Sequence, residues 1–349
     1  MEDGGQAARA PRPAPGSGRP ARPSISAVVP MFNEAPLAAA FLVALRDGLR
    51  QLTDHLEIVV VNDGSRDGTR EAVLGAPGGC GLVYVELTRN FGKEAALSAG
   101  LEAARGEVVV LLDGDGQHPV AAVGAMLARW RAGCDMAYGV RRSRAGESWA
   151  KRLGTAALYR LLALGSGVEI PAGAGDFRLL DRRVVDALRR LPERDRFMKG
   201  LYAWVGFRAE PVPYDVAPRL AGASRFGGLA LIRLALTGLT SFTTLPLRAV
   251  ASGGGLVSGV ALAYGAWVVF EEVYRGIPVP GYPTIVVSTM FFAGVQLLSL
   301  GVIGEYLGRV FDEVKRRPGY LVGEVVDRSP LGSPPPPGAA SSPGRPGAA

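Results

Sequence analysis

An unbroken apolar run, Val108–Leu112, stops at two carboxylates one residue apart, Asp113 and Asp115. A short run of this kind fits a strand buried on both faces, the usual condition of a parallel sheet covered by helices. Sheets of that class open their ligand crevice at the carboxyl ends of the strands. Two carboxylates placed there repel each other unless something positive sits beside them. A hard divalent cation meets that need, because carboxylate oxygens suit Mg2+ or Mn2+ and a nucleotide diphosphate supplies the remaining ligands. The competing reading is a plain acidic turn, since Asp and Gly are common turn residues.

The same pattern recurs upstream, which favours the crevice. Ile25–Pro30 leads into Asn33 and Glu34, and Pro30 is expected to end that strand. Glu57–Val61 leads into Asn62, Asp63 and a Gly/Ser turn, and a third apolar run leads into Arg89, Asn90, Phe91, Gly92 and Lys93. Polar and acidic side chains at consecutive strand ends along one sheet edge describe a nucleotide pocket. Asn33 also suits a helix N-cap. Arg89 and Lys93 can face phosphate or form a solvated charge pair. No P-loop spacing occurs, and no G-x-G-x-x-G follows a strand. The spacing predicts strands over Ser24–Pro30, Leu56–Val61, Leu82–Leu87 and Val108–Leu112. Helices are predicted over Ala35–Thr53, Thr69–Leu74, Lys93–Ala104 and Val120–Ala132. This alternation implies an α/β fold with a mainly parallel sheet and right-handed crossovers.

The 349 residues allow one large domain with additions, or two domains. A net charge of +7 fits nucleic acid, an anionic membrane surface or phosphorylated substrates. Zinc-finger spacing and aromatic RNA-binding signatures are missing, so no nucleic-acid partner is expected. Cys80 and Cys134 read as small buried residues rather than a disulfide. His55 and His118 are too few for a histidine metal site, and His118 reads as a loop residue.

Residues 1–23 and 330–349 are Pro/Gly/Ala-rich and read as a disordered arm and tail. The arm has no apolar core of the kind a secretory signal needs. Between them the chain changes character once. Residues 24–225 carry the α/β pattern. Ala249–Phe270 and Pro283–Gly304 then each run 22 residues without a charge. A spanning helix needs roughly 20 apolar residues, and neither stretch shows the polar face of a core helix. Two transmembrane helices are therefore expected within 249–310, followed by a basic segment and tail over 311–349. The connecting loop carries one basic residue, Arg275, whereas the outer flanks carry Arg233, Arg248, Arg309, Lys315, Arg316 and Arg317. That asymmetry places both termini and the α/β domain in the cytoplasm. Residues 226–248 read as a juxtamembrane amphipathic segment. Lys151–Leu164 fits either an interfacial helix or an ordinary core helix.

Taken together, Val-Val-Pro-Met-Phe-Asn-Glu (28–34), Val-Asn-Asp-Gly-Ser-Arg-Asp-Gly-Thr (61–69), Arg-Asn-Phe-Gly-Lys-Glu-Ala-Ala (89–96) and Asp-Gly-Asp-Gly-Gln (113–117) resemble the family-two glycosyltransferases of GT-A fold. Within them the likeness is to the polyprenyl-phosphate glycosyltransferases, the group of bactoprenol glucosyl transferase and dolichyl-phosphate mannose synthase. It extends from about residue 25 to 320. The resemblance implies that Pro30, Asn33, Glu34 and Asp63 hold the uracil and ribose of a donor. It makes Asp113, Asp115 and Gln117 the site for Mg2+ or Mn2+ and diphosphate, with Asp115 as the direct ligand. Tyr138–Arg144 with Lys151 and Arg152 resembles a loop that receives a lipid phosphate, which gives roles to Arg141, Arg142, Lys151 and Arg152. Gly175–Leu179, including Asp176 and Arg178, resembles a motif lining the sugar pocket. Arg219–Phe226, with Arg219, Ser224 and Arg225, resembles a basic loop closing over the site.

The chain departs from the family pattern in places. Asp-Gly-Asp-Gly-Gln-His-Pro stands where Asp-Ala-Asp-Leu-Gln-Asp-Pro is frequent, so His118 replaces an acid and the glycines add backbone freedom. Arg225 stands where Lys is usual, a fork in place of a point charge. Asn62 replaces a common Asp.

The function implied is an inverting, metal-dependent hexosyltransferase of a bacterial inner membrane. It would move glucose from UDP-glucose to undecaprenyl or another polyprenyl phosphate, as a homo-oligomer like its relatives. GDP-mannose is the alternative donor. A processive polysaccharide synthase would carry Gln-x-x-Arg-Trp and further spans. A non-catalytic scaffold does not need Asp113, Asp115 and Gln117 intact. An acceptor phosphate monoester has a second pKa of about 6, so much of it is dianionic at neutral pH and a strong base is unnecessary. Arg141, Arg142 and Arg152 would position it for in-line attack.

Overall fold

The computed structural model describes residues 18–77, 81–142, 174–191, 193, 196–215 and, discontinuously up to 280, residues 250–332. The chain divides into two compact units, one of residues 1–152, 170–225 and 318–349, the other of 153–169 and 226–317.

The first unit is an α/β layer structure. In chain order it contains β1 (Ile25–Met31), α1 (Ala35–Arg50), β2 (Leu56–Asn62), α2 (Thr69–Leu74), β3 (Gly81–Leu87), α3 (Lys93–Ala103), β4 (Val108–Leu111), α4 (Val120–Arg131) and β5 (Met136–Arg141). There follow β6 (Arg178–Asp181), α5 (Arg182–Arg189), α6 (Met198–Trp204), β7 (Ala209–Tyr214) and, beyond the second unit, β8 (Val322–Asp327). The strands form one eight-stranded sheet in the order β7-β5-β6-β4-β1-β2-β3-β8. β4, β1, β2 and β3 are mutually parallel. The strand order reverses between β1 and β4, the point where open α/β sheets place their ligand.

The predicted strands and helices of residues 24–132 all form, with ends shifted by a few residues. α1 stops at Arg50 rather than Thr53, because Thr53 turns back and donates its hydroxyl to the Pro23 carbonyl at 2.6 Å. β1 does not end at Pro30 but runs on to Met31. The Leu112 amide donates to the Val28 carbonyl, so alternate residues of β1 turn their backbone toward β4. β4 pairs only as far as Val28↔Leu111. The amide hydrogen that Pro30 lacks would thus face past the end of β4, and no ladder bond is lost. One side of the sheet is covered by α1 and α4, through Phe41, Leu45, Leu49, Val123, Met126 and Leu127. α3 covers the strands β1 and β2 closely, since a Cβ at Gly100 would stand 2.3 Å from Val28 Cγ1.

Four strands correct the sequence reading. β5, β6 and β7 extend the sheet beyond β4 where no strand was expected. More consequentially, β8 falls in the segment read as a basic tail and pairs antiparallel with β3. Ser329 Oγ there donates to the fully buried Glu57 at 2.5 Å, and Asp327 pairs with Arg105 at 2.5 Å. The arm is also partly ordered. Arg19 pairs with Asp135 at 3.1 Å and Asp181 at 3.2 Å, with its guanidinium 4.8 Å from the Trp130 ring centre.

Within the second unit, α7 (Tyr282–Val314) is a 33-residue helix containing the expected span Pro283–Gly304. Its window Phe291–Gly308 has a mean hydropathy of 1.4 and is unburied. Among the described residues it is the one helix long and apolar enough to cross a membrane. The first expected span, Ala249–Phe270, is described only discontinuously, and residues 226–248 and 151–164 lie outside the described residues. The two-helix hairpin therefore rests on the sequence.

Candidate active site

The loops that follow β1 and β2 are sewn together. Asn33 adopts a left-handed backbone, φ 54°, which Asn tolerates better than most residues. Its amide donates to Ser65 Oγ at 2.9 Å, and its side-chain oxygen accepts from the Arg66 amide at 2.9 Å. Glu34, not Asn33, occupies the N-cap of α1, and its amide donates to Thr69 Oγ1 at 2.9 Å. Asn62 explains its departure from Asp. Its amide group donates to the Tyr84 hydroxyl at 2.9 Å while its oxygen accepts from the Ser65 amide at 3.1 Å. Tyr84 in turn donates to Glu86 at 2.9 Å, so a carboxylate at position 62 would find no proton there.

Asp63 is 4 % exposed, and both its oxygens are engaged: Phe91 N donates to one at 2.7 Å and Gly92 N to the other at 2.9 Å. Burial pushes this carboxyl above its ordinary range, although the two amide bonds and Arg89 pull it back. Asp63 therefore anchors the loop that starts α3. Gly92 serves that loop with φ 98°, open to glycine and strained for other residues. Arg89 is exposed, its guanidinium 4.1 Å from the centre of the Phe91 ring.

The turn after β4 crosses the end of β1: a Cβ on Gly114 would lie 3.4 Å from the Pro30 carbonyl oxygen. Asp115 Oδ1 accepts from the Gln117 amide at 3.1 Å, and both residues remain partly exposed. His118, the replacement for an acid, braces this turn from below. Its Nδ1 accepts from the Asp113 amide at 3.1 Å, and its ring stacks on Phe177 at 4.6 Å. Burial holds its pKa below the ordinary value, against the upward pull of Asp113 and Asp115.

Lys93, at the first turn of α3, bridges two segments far apart in sequence. Its Nζ lies 2.5 Å from Asp113 Oδ1 and 2.8 Å from Asp176 Oδ2. Burial alone would lower the Lys93 pKa, but the two carboxylates outweigh it and raise it. Burial likewise favours protonated Asp176, yet Lys93 and Lys199 hold it ionised and lower its pKa. Asp113, Asp115, Asp176 and Lys93 thus form one charged rim at the switch point of the sheet.

The remaining expected residues are spread around this rim. Arg178 is 2 % exposed and lies behind it, with its Nε on the Gly175 carbonyl at 3.0 Å and its guanidinium 4.3 Å from the Tyr202 ring centre. Arg141 Nε approaches the Tyr214 hydroxyl at 3.4 Å, and Arg142 pairs with Asp215 at 3.2 Å on the surface. Lys151, Arg152, Arg219, Ser224 and Arg225 lie outside the described residues.

A cation fits this rim in one specific mode. Among the described residues no group of three or more His, Cys, Asp or Glu side chains is placed to hold a metal. Asp113 and Asp115 offer hard oxygen donors on one turn. Mg2+ is commonly held by one or two carboxylates with substrate phosphates completing its shell. The residues fit a cation that arrives with a diphosphate.

Sequence reading missed Glu94, the neighbour of Lys93. Burial and the charge of Asp176 push its carboxyl up to about 7, and Met198 N donates to it at 3.3 Å. Its ordinary value is 4.5. An acid whose pKa is raised by folding costs stability when ionised, so the cost is absent below the unfolded value, grows through the interval and is complete above the folded one. Glu94→Gln keeps the acceptor for Met198 and removes the charge. The variant is expected to melt higher than the parent at about pH 8, by a limit of roughly 3 kcal/mol, and level with it near pH 4. Thermal midpoints of the two proteins across that range check this.

Residues 26–189 match the family model described as Glycosyl transferase family 2. The Synechocystis sp. (strain ATCC 27184 / PCC 6803 / Kazusa) protein named "Uncharacterized glycosyltransferase sll0501" is 43% identical over 302 residues, which cover 86% of this chain and 95% of the relative. The chain belongs to glycosyl transferase family 2. The SfII prophage-derived bactoprenol glucosyl transferase of Shigella flexneri is 42% identical over 300 residues, 85% of this chain and 97% of the relative. Among solved structures, the mannosyltransferase PcManGT of Pyrobaculum calidifontis is 22% identical with a TM-score of 0.40, covering 80% of this chain and 87% of its own.

Proposed function

We propose that this family-two enzyme moves one glucose from UDP-glucose to a polyprenyl phosphate of the bactoprenol type, with inversion, at the inner membrane of a bacterium. The observation that carries the proposal is the 42% identity to the bactoprenol glucosyl transferase, extending over 97% of that protein. It spans nearly all of the relative's length, not only the nucleotide-binding portion. The charged rim of Asp113, Asp115, Asp176 and Lys93 supports it chemically.

Asp113 and Asp115, with Gln117 beside them, would hold Mg2+ or Mn2+ at the donor's diphosphate. When bound, the cation stabilises the charge that builds on the departing diphosphate. Pro30, Asn33 and Glu34 form the wall for uracil and ribose. Asp63 serves the same pocket through the loop it anchors, and Arg89 faces the phosphates from that loop. Asp176 meets the sugar, and Arg178 stiffens the segment behind it. Arg141, Arg142, Lys151 and Arg152 receive the acceptor phosphate, and the loop bearing Arg219, Ser224 and Arg225 closes over both substrates.

The acceptor needs no deprotonation at neutral pH, so the protein's task is alignment and exclusion of water. α7 and the uncharged stretch 249–270 insert as a hairpin, with both termini and the catalytic unit in the cytoplasm and the chains assembled as a homo-oligomer. The lipid phosphate then presents itself at the bilayer surface, where basic side chains also gather anionic headgroups. Attack from the face opposite the diphosphate gives a β-linked product from an α-linked donor. Anomeric analysis of the purified lipid product by NMR tests this, with the β anomer expected and an α-linked product overturning the mechanism.

A further inference from the structure

Lys93 sits against Asp113, one of the two carboxylates that the cation reading of the rim requires. Its ammonium is in contact with Asp113, the first carboxylate of the rim, and simultaneously with Asp176. Asp176 depends on it: Oδ2 accepts from Lys93 at 2.8 Å, and Oδ1 is buried with no hydrogen-bond partner. A divalent ion entering alone would meet a positive charge already seated between the carboxylates. Expelling that charge alone would strip a buried carboxylate of its donor, which is costly.

We propose that Lys93 is an internal counter-ion that keeps the rim closed to free divalent cations and yields it only when the donor's diphosphate arrives. This rests on the glycosyltransferase reading of the same rim. The side chain has a path outward, because it is 43 % exposed and stands on the first turn of α3, directly after the φ 98° glycine. A diphosphate offers the ammonium new oxygen partners and gives the cation its missing ligands. Lys93 would leave Asp113 for the diphosphate, which frees Asp113 and Asp115 to hold the cation and opens Asp176 to a donor hydroxyl. Cation and nucleotide binding are therefore coupled, and by linkage each strengthens the other equally. The device keeps a catalytic charge out of the site until a substrate is there to use it.

The test is Mn2+ binding to the full-length protein in detergent, followed by electron paramagnetic resonance with and without UDP. The parent is expected to bind Mn2+ weakly alone and at least about tenfold more tightly with UDP, within the usual range of such coupling. Lys93→Met is expected to bind Mn2+ alone about tenfold more tightly than the parent and to lose most of the enhancement by UDP. Lys93→Arg keeps the charge and should retain weak binding alone, and a thermal midpoint confirms that each variant is folded. The proposal is overturned if Lys93→Met binds Mn2+ alone no better than the parent, or if UDP enhances binding equally in both. Asp115→Asn separates this failure from failure of the site reading: if it leaves Mn2+ binding unchanged, the rim is not the cation site at all.

Discussion

Removing the chain after Arg317 should leave the catalytic unit unable to fold stably, although no residue of the charged rim is touched. The truncation strips β8 from β3, with ladder partners from Val83↔Asp327 to Leu87↔Val322. It also removes the bonds from Thr88 N to the Leu321 carbonyl and from Arg328 N to the Leu82 carbonyl. β3 would become an open edge whose Tyr84 and Val85 are buried in the intact fold, the kind of edge that pairs with another chain. At the far end of the sheet, Glu57 is fully buried and held by Ser26 at 2.6 Å, Arg105 N at 3.0 Å and Ser329 at 2.5 Å. Losing Ser329 leaves a buried carboxylate one donor short, at a cost of about 1–3 kcal/mol. The ion pairs of Asp327 and Glu324 go as well. Together these losses reach several kcal/mol, a large share of the roughly 5–15 kcal/mol that holds a domain folded. Aggregation on purification, or a thermal midpoint lower by 10 °C or more, is the order of effect expected. Ser329→Ala, which removes only the Glu57 donor, should show a smaller fall. An unchanged midpoint in the truncated protein would mean that β8 is not part of the working sheet.

Asp115→Asn should abolish sugar transfer while leaving the fold intact. Asp115 Oδ1 accepts from the Gln117 amide at 3.1 Å, and the asparagine oxygen can make the same bond, so the turn after β4 keeps its shape. What disappears is one negative charge and one hard oxygen ligand from a rim where, among the described residues, no three His, Cys, Asp or Glu side chains are grouped to hold a cation. Stabilising the charge on a departing diphosphate is worth several kcal/mol, and each 1.36 kcal/mol is tenfold in rate. A fall of roughly a thousandfold or more in turnover is expected, with the thermal midpoint within a degree or two of the parent. Substantial residual turnover would move the catalytic charge elsewhere on the rim. A matching collapse of the midpoint would make Asp115 a structural residue.

The first half of the catalytic unit was legible because its strands are buried on both faces. Such strands must be continuous apolar runs, and β1, β2 and β4 are buried almost throughout. Their polar ends lie at the switch point because the strands are parallel, so three separate motifs converge. The second half hides for the opposite reason. β6 has four residues, too few for any periodicity to register. β7 carries Pro211 and Pro213, which argue against a strand anywhere but an edge, and it is an edge strand paired to β5 alone. β8 is largely exposed and finds its partner more than two hundred residues earlier, beyond the reach of any local pattern. The site divides in the same way. Asp113 and Asp115 announce themselves by interrupting an apolar run. Glu94 does not, since its raised pKa comes from burial and from Asp176, which tertiary structure alone brings near. Asp63 was visible as an acid at a strand end, but its hold on Phe91 and Gly92 depends on where the β3–α3 loop passes.

Transfer of sugar to a lipid through the Asp113–Asp115 rim is the decisive property. Membranes containing the protein, or its Asp115→Asn variant at equal abundance, are offered radiolabelled UDP-glucose, GDP-mannose and UDP-N-acetylglucosamine in turn, and label is counted in the extracted lipid. The expected result is label in a phosphate-linked lipid from UDP-glucose with the parent protein, and none above background with the variant. Label that stays in water-soluble or polymeric material for every donor, or lipid label that persists unchanged in the variant, would contradict it.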